Sequence, residues 1–241
     1  MIKNIFSIVS FLLIMVGFSF AGVEDELKKI NQKLDKIEKR LTAIEKKVAN
    51  SPAKNNNKKQ ADPNAVYDIP IAGSVVFGNP NAKVTITEFT DFQWPYCAKS
   101  VSLVDDILAK YPNDVKVVVK NFPLSFHKQA YKAAQYALAA NEQGKYKEMY
   151  YAIFNDYKKL KSNEDWPLEI AQGLGLDMNK FVKDFGSDKI KKQIDLEMSQ
   201  FRNSGIPRLA VPKFLIQGKE PQGRDLKTFS TMIDSELAKL K

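Results

Sequence analysis

Cysteine and histidine are nearly absent: in 241 residues each occurs once, as Cys97 and His127. A single thiol closes no disulfide within its own chain, so Cys97 is reactive, buried and inert, or bridged to another molecule. One imidazole is too few for a histidine-based metal centre, and neither a metal nor a cofactor is expected. Concentrated basic charge is missing as well. The net charge of +9 divides into +1 over residues 1–21, +4 over 22–66 and +4 over 67–241. No element joins a basic run to interleaved aromatics, so nucleic acid is not an expected partner.

The first residues supply a different signal. Residues 2–21 carry one charge, Lys3, ahead of an apolar run from Ile5 to Phe20 that ends in Ser19-Phe20-Ala21. A basic start, an apolar stretch and small-x-small spacing predict a secretory signal peptide over 1–21, cleaved after Ala21. The alternative is an uncleaved anchor, since the run is near the lower limit for spanning a bilayer. Both place the remaining chain outside the cytosol, in the periplasm or an equivalent exported compartment.

Glycine and proline are also missing from Val23 to Asn50. There Val23, Leu27, Ile30, Leu34, Ile37, Leu41, Ile44 and Val48 recur at spacings of 4, 3, 4, 3, 4, 3 and 4, an unbroken heptad seam. With Leu27 at position a, leucine fills a and isoleucine fills d. That arrangement disfavours parallel dimers and predicts a homotrimer or homotetramer assembled through residues 23–48. Lys33 at g faces Glu38 at e of a neighbour, and Arg40 faces Glu45, as in a parallel assembly. The plainer alternative is an amphipathic helix lying on the globular domain, although a strict 3.5-residue repeat makes a narrower stripe than that requires. The coiled-coil helix is assigned to 22–50, and the polar, aperiodic residues 51–66 are read as a flexible linker.

Residues 67–241 suffice for one sizeable core. Val84–Thr90 reads as a β-branched strand, Pro95–Tyr111 as a helix and Val115–Lys120 as a second strand. A mostly helical stretch covers about 128–203, broken by Gly144, Trp166-Pro167 and Gly173/Gly175. A third strand, Lys213–Gln217, leads through a turn from Gly218 to Gly223 into a closing helix, Asp225–Leu240. The order is α/β, with the helical block as an insertion. Between the first strand and its helix lies Asp91-Phe92-Gln93-Trp94-Pro95-Tyr96-Cys97. It has the layout of a Cys-x-x-Cys site with Trp94 in the first position. In a dithiol site one thiolate attacks and the second releases the attached partner; here one of the two is missing.

Four blocks, in order, carry a resemblance. Glu88 to Cys97 resembles the active-site segment of the DsbA-like branch of the thioredoxin superfamily, usually written Cys-Pro-Tyr-Cys. Phe122-Pro123-Leu124-Ser125-Phe126-His127 and Asn141-Glu142-Gln143-Gly144-Lys145-Tyr146 resemble its second and third blocks. Val211-Pro212-Lys213-Phe214 resembles its cis-proline loop. The resemblance covers roughly residues 70–240 and implies a thioredoxin fold with an inserted helical domain, here preceded by a coiled-coil helix. A stalk before such a domain is similar to the oligomeric periplasmic disulfide isomerases, including those of the suppressor-of-copper-sensitivity type.

The resemblance implies roles residue by residue. Trp94 takes the place of the first cysteine but offers only an indole N–H; it would cover the site or give a client an apolar contact. Pro95 fits a first helical turn, where its missing N–H costs nothing. Cys97 corresponds to the resolving thiol. Its position in the first turn would lower its pKa, whereas burial among apolar groups would raise it and make it inert. Reading Cys97 as the attacking thiol of a Cys-Ala-Lys-Ser pattern is a further alignment, opposed by the Asp-Phe-x-x-Pro-Tyr block before it. Glu88 corresponds to a buried acid that manages protons for the thiols; on an alternating strand it shares a face with Ile86 and Thr90. Desolvation would raise its pKa, the alternative being a solvated strand-end charge. Pro212 is expected after a cis peptide from Val211, where the loop's backbone pairs with an extended client. Its approach, Gly205 to Ala210, is about two residues longer than in the family. His127 is expected to cap a helix or sit at the surface.

Three functions follow from these readings. The first is an exported thiol–disulfide exchange protein limited to one-thiol chemistry at Cys97, with Glu88 as its proton partner and Trp94, Pro95, Tyr96, Val211 and Pro212 contacting substrate. Its partners would be unfolded or disulfide-containing secreted proteins, with glutathione or a membrane redox partner resolving the mixed disulfide. The second is a redox-inactive oligomeric chaperone on the same fold. The third is a lesion or sequence error in an ordinary enzyme, because cysteine and tryptophan codons differ by one base.

Overall fold

A computed structural model of the chain describes residues 24–43, 62 and 64–240. The expected signal segment, the outer parts of the heptad seam (Val23, Ile44 and Val48) and most of the expected linker lie outside the described residues. Residues 24–43 form one α-helix, α1, in which Leu27, Ile30, Leu34, Ile37 and Leu41 are each about half exposed. These five residues form a half-exposed apolar stripe along the helix.

The following unit is built on a four-stranded sheet. In chain order its elements are β1 (Val75–Gly78), β2 (Val84–Thr90), α2 (Pro95–Lys110), β3 (Val115–Asn121) and α3 (Ala130–Asn141). Then come α4 (Tyr146–Asn155), α5 (Lys159–Ser162), α6 (Trp166–Gly173), α7 (Met178–Phe185), α8 (Asp188–Arg202), β4 (Lys213–Ile216) and α9 (Leu226–Ala238). The sheet order is β1-β3-β2-β4. β2 and β3 run parallel in the register Ile86↔Val117, with α2 as their crossover, while β1 and β4 close the two edges antiparallel.

Both faces of the sheet are covered, which decides how β2 reads. Successive side chains on a strand point to opposite faces. Glu88 meets Ser100 of α2 and Tyr150 of α4, while its neighbour Phe89 stacks on Phe201 of α8 at 4.3 Å. Helices therefore flank the central pair on both sides, as parallel strands require. Every residue of β2 but Thr85 is buried. Glu88 is inward, yet not because one face is wet.

β1 goes unrecognised in the sequence. It has four residues with Val75 and Phe77 buried and Val76 and Gly78 exposed, too short a run to separate from loop. After β4, Gln217 and Gly218 both adopt positive φ, 48° and 79°, and Ile216 and Lys219 exchange two backbone hydrogen bonds. That is the two-residue hairpin turn whose twist suits antiparallel strands. Gly218 O accepts from Tyr67 N at 2.8 Å, and Val66, the last residue of the expected linker, bridges Lys219.

Candidate functional site

The site forms where β2 ends and α2 begins. Trp94 is the N-cap residue of α2, extended at φ −88° and ψ 120°, and its side chain caps nothing. Its carbonyl accepts from Cys97 N at 3.0 Å and Ala98 N at 3.1 Å, starting the helix. Pro95 follows in the first turn, where its fixed φ suits a helix start.

Asp91 fastens this turn to the segment after β3. Its Oδ1 accepts from Gln93 N at 2.7 Å, and its Oδ2 accepts from Leu124 N at 2.7 Å and contacts His127 Nδ1 at 2.9 Å. An oxygen already facing a backbone donor leaves the imidazole to donate, so Nδ1 carries the hydrogen. Burial pushes the Asp91 carboxyl up from its ordinary range, and these donors oppose that. Beside it Gln93 and Gln129 bond reciprocally, Gln93 Nε2 to Gln129 Oε1 at 2.8 Å and Gln129 N to Gln93 Oε1 at 2.7 Å. The expectation of a capping or surface role for His127 is corrected here: its side chain is 15% exposed and is bound to Asp91. Asp91→Asn turns an amide N–H toward one of these donors. It is expected to lower stability by about 2 kcal/mol in urea unfolding.

Cys97 and Glu88 lie beneath the turn. Cys97 is 0% exposed, and its Sγ accepts from Asp91 N at 3.4 Å. Burial pushes the thiol well above its ordinary range; the Asp91 N–H opposes this, and the charges of Glu88 and Asp91 add to it. The first-turn position therefore does not activate Cys97, because desolvation outweighs the helix terminus. Glu88 is also fully buried, with its carboxyl pushed up to about 7 by burial. Ser100 Oγ is 3.2 Å from Glu88 Oε1 but only 2.7 Å from Cys97 O, and Tyr150 Oη is 3.4 Å from Oε2. Ser100 has one proton, and the shorter contact takes it. Ser100 Oγ is then an acceptor for a protonated Glu88, which favours the neutral acid.

The Val211–Pro212 peptide is cis. The register Glu88↔Phe214 and Phe89↔Lys213, continued one step, sets Pro212 level with Thr90, at the same end of the sheet as Trp94. Val211 and Pro212 are buried, and the exposed residues of the loop are Gly205, Pro207, Arg208 and Leu209.

A thioredoxin family model matches residues 71–235. The chain belongs to the thioredoxin family. Among solved structures, this family member is similar to a thioredoxin-like oxidoreductase from Silicibacter pomeroyi DSS-3, at 26% identity and a TM-score of 0.60 over 68% of this chain and 92% of that one. It shares its fold with alpha-DsbA1 of Wolbachia pipientis, at 22% identity and a TM-score of 0.60 over 72% and 97%. Among curated relatives, the Na(+)/H(+) antiporter NhaA of Herminiimonas arsenicoxydans is 26% identical over 186 residues, which is 76% of this chain. The chain spans only 29% of that protein's length. Among the described residues no helix is long and apolar enough to cross a membrane. The fold is that of the DsbA-like thiol–disulfide oxidoreductases.

In this thioredoxin-family protein, Glu88, Trp94, Pro95, Tyr96 and Cys97 gather at one junction, and Val211-Pro212 reaches the same end of the sheet. The accessible part is aromatic. Tyr96 is 57% exposed and Phe126 68% exposed, and the half-buried Trp94 ring lies 5.3 Å and 6.4 Å from them, centroid to centroid. Asp91, Phe126 and the Gln93–Gln129 pair are parts of the site that sequence reasoning missed. Asp91, Gln93 and Phe126 all stand in recognisable motifs, but their partners and the exposure of Phe126 follow only from the turn between β3 and α3.

Proposed function

We propose that this protein uses its DsbA-like fold to hold extended segments of other polypeptides, without turning over disulfides on its own. The burial of Cys97 carries this reading: the one thiol has no exposed surface and a strongly disfavoured thiolate. By resemblance, Trp94 occupies the N-cap position that the family gives to its attacking cysteine, and an indole has no nucleophilic atom. What the junction offers a partner is Trp94, Tyr96 and Phe126, with Pro207, Arg208 and Leu209 exposed on the approach to the cis-proline, chemistry suited to extended peptide. Cys97→Ser keeps an acceptor for Asp91 N–H. It is expected to leave suppression of client aggregation unchanged, and its loss in that variant would overturn the reading.

Glu88 supports a second reading. Its charge acts on Cys97 and its carboxyl sits at about 7, so it is suited to take the thiol proton whenever the start of α2 opens. The thiolate would then exchange with a disulfide of a secreted client, and glutathione or a membrane redox partner would resolve the mixed disulfide. Maleimide labelling of the native protein at neutral pH separates the two. The holding reading expects labelling roughly a thousandfold slower than in the unfolded chain. Labelling within about tenfold of the unfolded rate would establish one-thiol exchange instead.

Export after residue 21 and assembly into trimers or tetramers through residues 23–48 belong to the same proposal. The half-exposed stripe of α1 supports assembly, and several holding sites on one particle raise avidity for a long client. Sedimentation equilibrium is expected to give three or four times the chain mass; a monomer would overturn this part.

A further inference from the structure

We propose that the cleft beside Trp94 selects acidic segments that also carry aromatic or bulky apolar side chains. This rests on the peptide-holding reading and names its partner class. The cleft, about 640 Å³, lies between the start of α2, the 126–129 segment and the stretch from Tyr157 to Lys161. Trp94, Phe126 and Tyr157 give it an aromatic lining, with Phe126 edge-on to Trp94 at 79°. Lys128, Lys158 and Lys161 also line it, and all three are exposed.

The charge on this rim is uncompensated. Nearby, Lys132 pairs with Glu164 and Asp165, and Lys159 pairs with Asp156 while lying over Trp166 at 5.1 Å. Among the described residues, Lys128, Lys158 and Lys161 make no ion pair, and no carboxylate lines the cleft. Asp91 lies beneath His127 with a fully buried side chain, and both of its oxygens are engaged. Three cations around an aromatic lining match carboxylates that flank an apolar side chain. A basic segment of equal hydrophobicity meets repulsion there instead. Each exposed lysine alone contributes little, so together they are expected to set about a tenfold preference at low salt.

The test uses the full chain carrying Trp166→Phe, which leaves Trp94 as the one indole, since the sequence has two tryptophans. Its emission is followed during titration with a ten-residue Glu–Phe peptide, matched Lys–Phe and Glu–Ser peptides, and short-chain polyphosphate. The expected result is a saturable shift about tenfold tighter for Glu–Phe than for the other three ligands. The preference should vanish in the Lys128→Gln/Lys158→Gln/Lys161→Gln variant and at about 0.5 M salt. Equal affinity for Glu–Phe and Lys–Phe would overturn the selectivity and leave peptide holding intact. An equal response to polyphosphate would overturn it too, making the cleft a general anion site. If no peptide moves the emission while client aggregation is still suppressed, only this inference fails; if suppression is also absent, both readings fail.

Discussion

Trp94→Cys is expected to turn the protein into a dithiol oxidoreductase, with insulin reduction at least about a hundredfold faster than in the parent. Residue 94 is the N-cap of α2, with extended backbone and no side-chain cap of its own. A thiolate there meets the positive end of the helix, a position that lowers a thiol's pKa to roughly 3.5–7.5. The introduced thiol attacks the client disulfide, and Cys97, three residues on, displaces the client by closing an internal disulfide. That order needs an accessible attacker and a sheltered resolver. Cys97 is already sheltered, and Glu88 at about 7 is available for the resolver's proton. The substitution also removes an aromatic ring packed against Tyr96, Phe126 and His127, so some loss of stability accompanies the gain. Mass spectrometry before and after reduction reads the internal disulfide directly. If none forms, or turnover stays at the parent's level, the junction is not an exchange frame lacking one sulfur.

The strand–helix order around the junction was legible because each signal there is local. Val84–Thr90 is β-branched, Pro95 marks a helix start, and Gly144 and Gly175 adopt positive φ where helices end. The break between α7 and α8 was missed, although Gly186 closes α7 and Ser187 accepts from Ile190 N as the cap of α8, because a lone Gly-Ser pair between two helical patterns is a weaker stop than the proline and paired glycines elsewhere in the block. The site divides along the same line. The inward Glu88 and the cis bond before Pro212 were expected from the motifs. The state of Cys97 stayed open because helix position and burial pull its pKa in opposite directions, and only packing settles which is larger. Asp91 and His127 are 36 residues apart, and no local pattern pairs them.

Between pH 4.5 and about 7 the protein is expected to lose about 3 kcal/mol of stability through Glu88 alone. Burial moves this carboxyl from its ordinary 4.5 up to about 7 in the folded chain, while the unfolded chain releases the proton near 4.5. Within that window the folded state holds a proton that the unfolded state has lost. The contribution of Glu88 is therefore complete below pH 4.5 and is lost as pH rises toward 7. Asp91 and Glu197 are displaced upward by burial as well, so their contributions have the same sign and steepen the decline. Glu88→Gln keeps groups that can donate to Ser100 Oγ and accept from Tyr150 Oη, and it has no proton to release. Urea unfolding at a series of pH values should show this variant with a slope shallower by about 1.4 kcal/mol per pH unit across the window. Parallel curves for parent and variant would mean that Glu88 does not titrate there. A purely structural position at the centre of a sheet is served as well or better by leucine, since an ionised buried acid without a counter-charge is destabilising. Above pH 7 the fold carries that cost beside Cys97, and the proposed one-thiol reading rests on this placement.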